Sequence, residues 1–154
     1  MNNPTSHVQK QDNQFIHPWD NFQNLGNNQR TVVETGDGIY IYDSQGNRLI
    51  DGPSGMWCVN IGHGREEMAQ AIYDQVMQLP YTSPWSMTTS PAAQFSEALA
   101  AEAPGDLNHV FLTTCGSTAV DSALRFVQFY NNYRGKPEKK KIISRLKGYH
   151  GSTY

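Results

Sequence analysis

Cysteine is scarce in this chain of 154 residues: only Cys58 and Cys115 occur, far apart in sequence. Two such thiols build neither a disulfide framework nor a Cys-x-x-Cys metal knuckle, so both are expected to be reduced. No apolar run approaches the roughly 18 residues that a membrane span requires, and the polar N-terminus lacks the apolar centre of a secretory signal. A cytoplasmic location is the expectation. An excess of one charge is missing too, since 12 Lys and Arg stand against 14 Asp and Glu for a formal net charge of −2. Without a basic surplus to displace counterions or attract headgroups, neither nucleic acid nor an anionic membrane is an expected partner. The five histidines, His7, His17, His63, His109 and His150, contain no i, i+3 or i, i+4 pair, and HExxH is absent, which argues against a metal site. Walker A, GxGxxG and GxSxG patterns are absent as well, which disfavours ATP, dinucleotides and serine-type acyl transfer.

What is present divides along the chain. Residues 1–14 are mostly polar with one valine, too few apolar groups to offset the entropy of ordering, and residues 1–16 are expected to form a disordered arm. Residues 17–54 read as an N-terminal helix and a β-meander. His17 to Leu25 is a short helix beginning near Pro18, with Trp19, Phe22 and Leu25 on one face. Strands are expected over Thr31–Glu34, Ile39–Tyr42 and Arg48–Ile50, separated by the turn formers Gly36-Asp37-Gly38 and Ser44-Gln45-Gly46-Asn47.

Residues 55–154 read as the start of a larger α/β domain. After a Gly-rich loop over residues 51–64, Met68, Ile72, Val76 and Leu79 form the stripe of a helix that ends at Leu79-Pro80. Ser90 is the expected N-cap of the next helix, with Pro91 at its first position and Phe95, Ala98 and Leu99 on a buried face; Pro104-Gly105 stops it. A strand over His109–Thr114, a helix from Ser117 to about Arg134 and a strand over Lys141–Arg145 make a βαβ unit whose strands are expected to be parallel neighbours. So few strands do not complete an α/β sheet, and the chain reads as the front portion of a larger protein.

Three segments carry candidate chemistry. In TTCGSTAVDSALR, residues 113–125, a strand ends, Gly116 permits close approach and Ser117-Thr118 opens a helix whose free N–H groups and positive end suit a phosphate. An ordinary N-cap is the competing reading. In RLKGYHGST, residues 145–153, Tyr149 and His150 leave the other strand of the unit on the same rim, where α/β sheets bind ligands. A loop tyrosine and a turn histidine are the bland counterparts. In DGPSGMWCVNIGH, residues 51–63, and LPYTSPWSMTTSP, residues 79–91, the aromatics Trp57, Tyr81 and Trp85 suit a ligand wall, and equally a core or a subunit interface. Cys115 beside a helix N-terminus is a weak candidate nucleophile with His150 as its base, packing being the commoner role. Asp121 reads as a dipole partner rather than an acid catalyst.

Taken in order, the meander, the DGPSGMWCVNIGH loop, the Gly116-Ser117-Thr118 turn and Tyr149-His150-Gly151 resemble the class III pyridoxal-phosphate-dependent aminotransferases, and among them the ω-amine or β-alanine:pyruvate transaminases. The resemblance runs from about Trp19 to the last residue. It implies an α/β fold of the type I pyridoxal-phosphate transferases, truncated to the small-domain meander and the first βαβ part of the large domain, and a homodimer for the full-length protein. It implies that Gly116, Ser117 and Thr118 bind the cofactor phosphate, Thr118 standing where many relatives carry Glu. Tyr149 would stack on the pyridine ring of pyridoxal 5'-phosphate with His150 close by, and Met56, Trp57 and Trp85 would line the substrate pocket.

The family's Schiff-base lysine and ring-nitrogen carboxylate match no position in these 154 residues, and Lys147 matches no family lysine. The chain alone is therefore expected to be inactive, as the N-terminal part of an enzyme moving an amino group from an amine or ω-amino acid to a keto acid such as pyruvate. The alternatives are a decarboxylase or aminomutase of the same fold, or a non-catalytic phosphate-ligand or partner-binding fragment.

Overall fold

The computed structural model describes residues 4–153, with side chains from Ser6 onward. The chain divides into two compact units, Met1–Tyr81 and Thr82–Tyr154.

In the first unit, helix α1 spans Pro4–Asp12. It lies in the arm expected to be disordered, of which residues 1–3 fall outside the described residues. The composition is poor in apolar groups, but the order comes from residues further along. Arg30 pairs with Asp12 at 3.4 Å and with Asp20 at 2.5 Å, His17 meets Asp12 at 2.8 Å, and the Gln9 amide reaches Asn28 and Arg30. The helix expected over His17–Leu25 is reduced to a single 3-10 turn, Phe22–Asn24, where the Asn21 side chain accepts from the Gln23 N–H. Trp19 and Phe22 remain exposed, so the face they were expected to share is not buried.

Strands β1 (Val33–Asp37), β2 (Tyr40–Asp43) and β3 (Arg48–Ile50) form an antiparallel meander in sequence order. The first strand begins later than its β-rich residues suggest, and the register shifts between Val33 and Thr35. The β2–β3 turn is built by Asp43, whose carboxylate accepts N–H groups of Gln45 at 2.9 Å and Asn47 at 2.8 Å. Next come a one-turn segment, α2 (Ser54–Trp57), and α3 (Glu66–Gln78). Glu66 and Glu67 sit favourably at the positive end of α3, and Leu79, before Pro80, turns extended and ends it.

The second unit carries α4 (Ser90–Glu102) and α5 (Gly116–Tyr133). Thr89, not Ser90, is the N-cap of α4, its Oγ1 accepting from the Ala92 N–H at 3.4 Å. Ser90 thus becomes the first helical residue and Pro91 the second, where a missing N–H costs nothing. After α5, the chain is turned by Asn131, only 6% exposed, whose amide donates to the Val127 and Lys139 carbonyls.

Two expectations are corrected. Among the described residues the meander is the only sheet, so residues 109–114 and 141–145 are not paired as neighbouring parallel strands. A strand is fixed by the ladder beside it, and here neither segment has one; Phe111 instead packs edge-on against Phe126 of α5 at 5.3 Å. The face of α4 expected to be buried is open, with Phe95 and Leu99 exposed, and the apolar stripe of α3, Met68, Ile72 and Val76, is exposed as well. Among the described residues no helix packs extensively on another element, so nothing covers these faces. No described helix is long and apolar enough to cross a membrane.

Candidate functional site

The first turn of α5 holds the candidate phosphate residues Gly116, Ser117 and Thr118. Cys115 is extended at the N-cap, and Thr118 folds back on it, its hydroxyl accepting the Cys115 N–H at 3.2 Å and donating to the Cys115 carbonyl at 2.9 Å. That hydroxyl is spent on capping, so Thr118 can offer a ligand its place in the turn but not its proton. Ser117 differs. Its oxygen accepts the Ser152 N–H at 3.2 Å, and its hydroxyl also helps to hold the Cys115 sulfur. Gly116 leaves open space where a side chain would stand.

The electrostatics of this turn favour an anion. The Thr118 N–H and hydroxyl, with smaller help from Ser117, hold the Cys115 thiol below its usual range. Donors and helix dipole that stabilise a sulfur anion also suit a phosphate oxygen.

The 145–153 segment meets this turn. Gly151 comes so close to α5 that a Cβ on it would lie 2.9 Å from Ser117 Cα, and its φ of +120° is one that side chains disfavour. The Thr153 hydroxyl donates to the Asp121 carboxylate one turn further on. The structure therefore ties Gly151, Ser152 and Thr153 to Ser117 and Asp121, with Tyr149 and His150 just before the contact. Tyr149 is 69% exposed. Lys147 lies in the Arg145–Gly148 turn with a φ of +60°. Elsewhere in this unit Trp85 is 95% exposed.

In the first unit, the 51–63 loop presents Met56 and Trp57 on a left-handed turn. Ser54, Gly55, Met56 and Trp57 have φ values of 52°, 59°, 66° and 67°. For the three that are not glycine this costs about 1–2 kcal/mol each, so the surroundings must hold it. Asp51 does part of that work, Oδ1 accepting from the Gly55 N–H at 3.2 Å and Oδ2 meeting His63 Nε2 at 2.9 Å. The imidazole and the Gly55 N–H hold the Asp51 carboxyl below its ordinary value. A small cavity of about 60 Å³ lies among Ile39, Asp51, Ser54, Val59, Asn60 and His63.

Asp51, His63, Ser152 and Thr153 were not singled out from the sequence. Asp51 and His63 are the first and last residues of the DGPSGMWCVNIGH segment, a Gly-rich loop bounded by an acid and a base, and that was the available signal. Nothing local marks Ser152 or Thr153.

A family model, Aminotransferase class-III, matches residues 22–154. The chain belongs to the class III aminotransferases. It is 41% identical over 137 residues to a putrescine–pyruvate aminotransferase of Pseudomonas aeruginosa, covering 88% of this chain and 30% of that protein. Its structure is similar to a transaminase from the marine bacterium Virgibacillus, with a TM-score of 0.91 and 39% identity over 96% of this chain and 34% of that one. A third relative, the ω-transaminase of Pseudomonas jessenii in complex with PMP, gives a TM-score of 0.88 and 35% identity, covering 94% of this chain and 32% of the other. The chain thus spans about a third of the length of these relatives and forms a partial α/β fragment of the type I pyridoxal-phosphate transferase fold. Pyridoxal phosphate is the cofactor of this family. The open, anion-favouring first turn of α5 fits its phosphate.

Proposed function

We propose that this chain is the cofactor-phosphate and substrate-wall portion of an aminotransferase that moves an amino group from an amine or ω-amino acid to a keto acid, with pyruvate as the acceptor. The first turn of α5 carries the reading: Gly116 is open, the donors of the turn favour an anion at Cys115, and the segment after Tyr149 and His150 is held against the turn through Ser152. Residues 17–54 are assigned to the small domain and 55–154 to the large domain of a cytoplasmic homodimer.

Bound pyridoxal phosphate supplies an electron-accepting ring that lowers the cost of removing a proton from the amine-bearing carbon. Gly116 and Ser117 hold the phosphate by N–H and O–H donation, and Thr118 keeps that turn in shape by capping Cys115. Tyr149 contributes a flat apolar surface for the ring, and His150 a polar group near it. Met56 and Trp57 of the first unit and Trp85 of the second are assigned to recognition of the amine's carbon chain, where large apolar area favours extended or apolar donors over small ones. The aminotransferase relatives, one of them named for putrescine and pyruvate, support the donor and acceptor classes. The base that moves the proton is assigned to a lysine outside these residues.

The test is a pyridoxal phosphate titration of the full-length protein, followed by pyruvate consumption with putrescine and with a monoamine. Saturable cofactor binding with amine-dependent alanine formation is expected. Release of carbon dioxide from an amino acid without alanine would instead assign a decarboxylase.

A further inference from the structure

The left-handed turn that carries Met56 and Trp57 is tied to the β-meander through one pair of side chains. His63 is bridged to Gly38 in both directions, its N–H donating at 2.8 Å and its carbonyl accepting at 3.1 Å. Its ring rests on β1 at Gly36, where any Cβ would fall 2.7 Å from His63 Cγ. From that fixed position Nε2 reaches Asp51 Oδ2 at 2.9 Å, and Asp51 is further anchored by its own N–H to the Ile39 carbonyl at 2.9 Å. The second carboxylate oxygen accepts from the Gly55 N–H at 3.2 Å, and the Asp51 carbonyl accepts from the Ser54 N–H at 3.1 Å. The turn's far end is closed by the Ser54 hydroxyl on the Val59 carbonyl at 2.8 Å.

We propose that Asp51 and His63 are a positioning pair that holds the Ser54–Trp57 turn left-handed and so sets the directions of Met56 and Trp57, making the pair a determinant of which amines the protein accepts. The assignment of Met56 and Trp57 to the amine's wall rests on the function proposed above. The physical argument is that a change in the sign of φ carries Cβ to another side of the backbone. Ser54, Met56 and Trp57 stay in the disfavoured region only while the surroundings over-determine it. The pair reaches that turn from the meander through the Gly55 N–H, and it touches neither exposed side chain. It acts through the backbone rather than on the substrate.

The test uses the pyridoxal-phosphate-loaded full-length protein with benzylamine and propylamine as donors, and the ratio of their kcat/KM values as readout. Asp51→Ala and His63→Gln are expected to change that ratio by roughly tenfold, the scale of an altered pocket contact, while kcat with propylamine stays within about twofold. Asp51→Asn retains an acceptor for the Gly55 N–H and is expected to return the ratio to within about threefold of the unsubstituted protein. Asp43→Asn, which perturbs the β2–β3 turn of the same meander, is the control for general loosening and should leave the ratio alone. An unchanged ratio in both Asp51→Ala and His63→Gln, or an equal change in Asp43→Asn, overturns the proposal.

A second readout is independent of turnover: the fluorescence anisotropy of Trp57 in full-length protein in which every other tryptophan, Trp19 and Trp85 among them, is replaced by phenylalanine. Anisotropy is expected to fall in His63→Gln and Asp51→Ala and to hold in Asp43→Asn. If the unsubstituted protein turns over neither amine, the proposed function fails and anisotropy alone decides. No fall in either variant then overturns the positioning role.

Discussion

Ser117 combines two tasks in one hydroxyl. It accepts the Ser152 N–H, which holds the 145–153 segment to α5, and it is the hydroxyl assigned to the cofactor phosphate in the proposed function. A hydrogen bond to a charged phosphate contributes about 1.5–3 kcal/mol, whereas the ring stacking of Tyr149 survives replacement by phenylalanine. Ser117→Ala is therefore expected to raise the pyridoxal phosphate Kd of the full-length protein about tenfold or more, and Tyr149→Phe only mildly. Dissociation constants for the two variants check this, and a larger loss in Tyr149→Phe would reassign the cradle. At Asp51 the sign of the pH effect follows from its environment. His63 and the Gly55 N–H stabilise the carboxylate, so its value in the fold lies below the ordinary 3.8. The stability it contributes is whole above that ordinary value and drains away as pH falls through the lower folded one. A carboxyl titration of Asp51 by NMR should show the depressed midpoint in the native protein and its return toward the ordinary value in His63→Gln.

At the level of elements, the features that could be read from the chain are those whose causes are local. The Met68, Ile72, Val76 stripe announced α3, the run from Ser117 onward announced α5, and Ser44-Gln45-Gly46-Asn47 announced the β2–β3 turn that Asp43 closes. Helix α1 could not be read this way, because the groups that support it stand at Arg30, His17 and Asn28, beyond its own end. A helix of nine residues with so few apolar side chains is marginal by itself. Surface ion pairs contribute about 0–1 kcal/mol each, so removing the residue that joins two of them should tip the balance. Arg30→Ala is expected to abolish amide protection over residues 4–12 while leaving β2 and β3 protected, as hydrogen exchange would report. Equal loss across the meander would mean that α1 and the sheet open as one unit. The α2 turn was equally hidden, since left-handed backbone at Met56 and Trp57 contradicts their intrinsic preference.

For the molecule as a whole, the decisive observation is that no hydrophobic side chain among the described residues is buried. Phe111, Phe126 and Phe129 border an open groove of about 580 Å³, and the stripes of α3 and α4 face outward. Exposed apolar faces of this extent drive association. The 154-residue chain studied alone is expected to scatter light as oligomers or aggregates and to show no sharp thermal transition; a soluble monomer that melts cooperatively would contradict this. It is also expected to show no amine-dependent consumption of pyruvate above that of free cofactor, because the chain spans about a third of its relatives and the proposed function assigns the proton-moving base to a lysine outside these residues. Activity of the purified chain would overturn that assignment.

The amino-acid sequence by itself determined the family, the helices with clear apolar period, the meander and the segments that carry the candidate cofactor contacts, because turn chemistry, periodicity and motif order are written within short stretches. Tertiary structure decided the rest. It showed that Thr118 spends its hydroxyl on Cys115 while Ser117 accepts the Ser152 N–H, that Ser152 and Thr153 hold the second segment to α5, and that Asp51, paired with His63, accepts the Gly55 N–H in the turn that carries Trp57. It also left residues 109–114 and 141–145 without a ladder and the helix faces uncovered. The physical reason is common to all of these: a hydrogen bond or a buried face needs two partners, and a local pattern specifies only one of them.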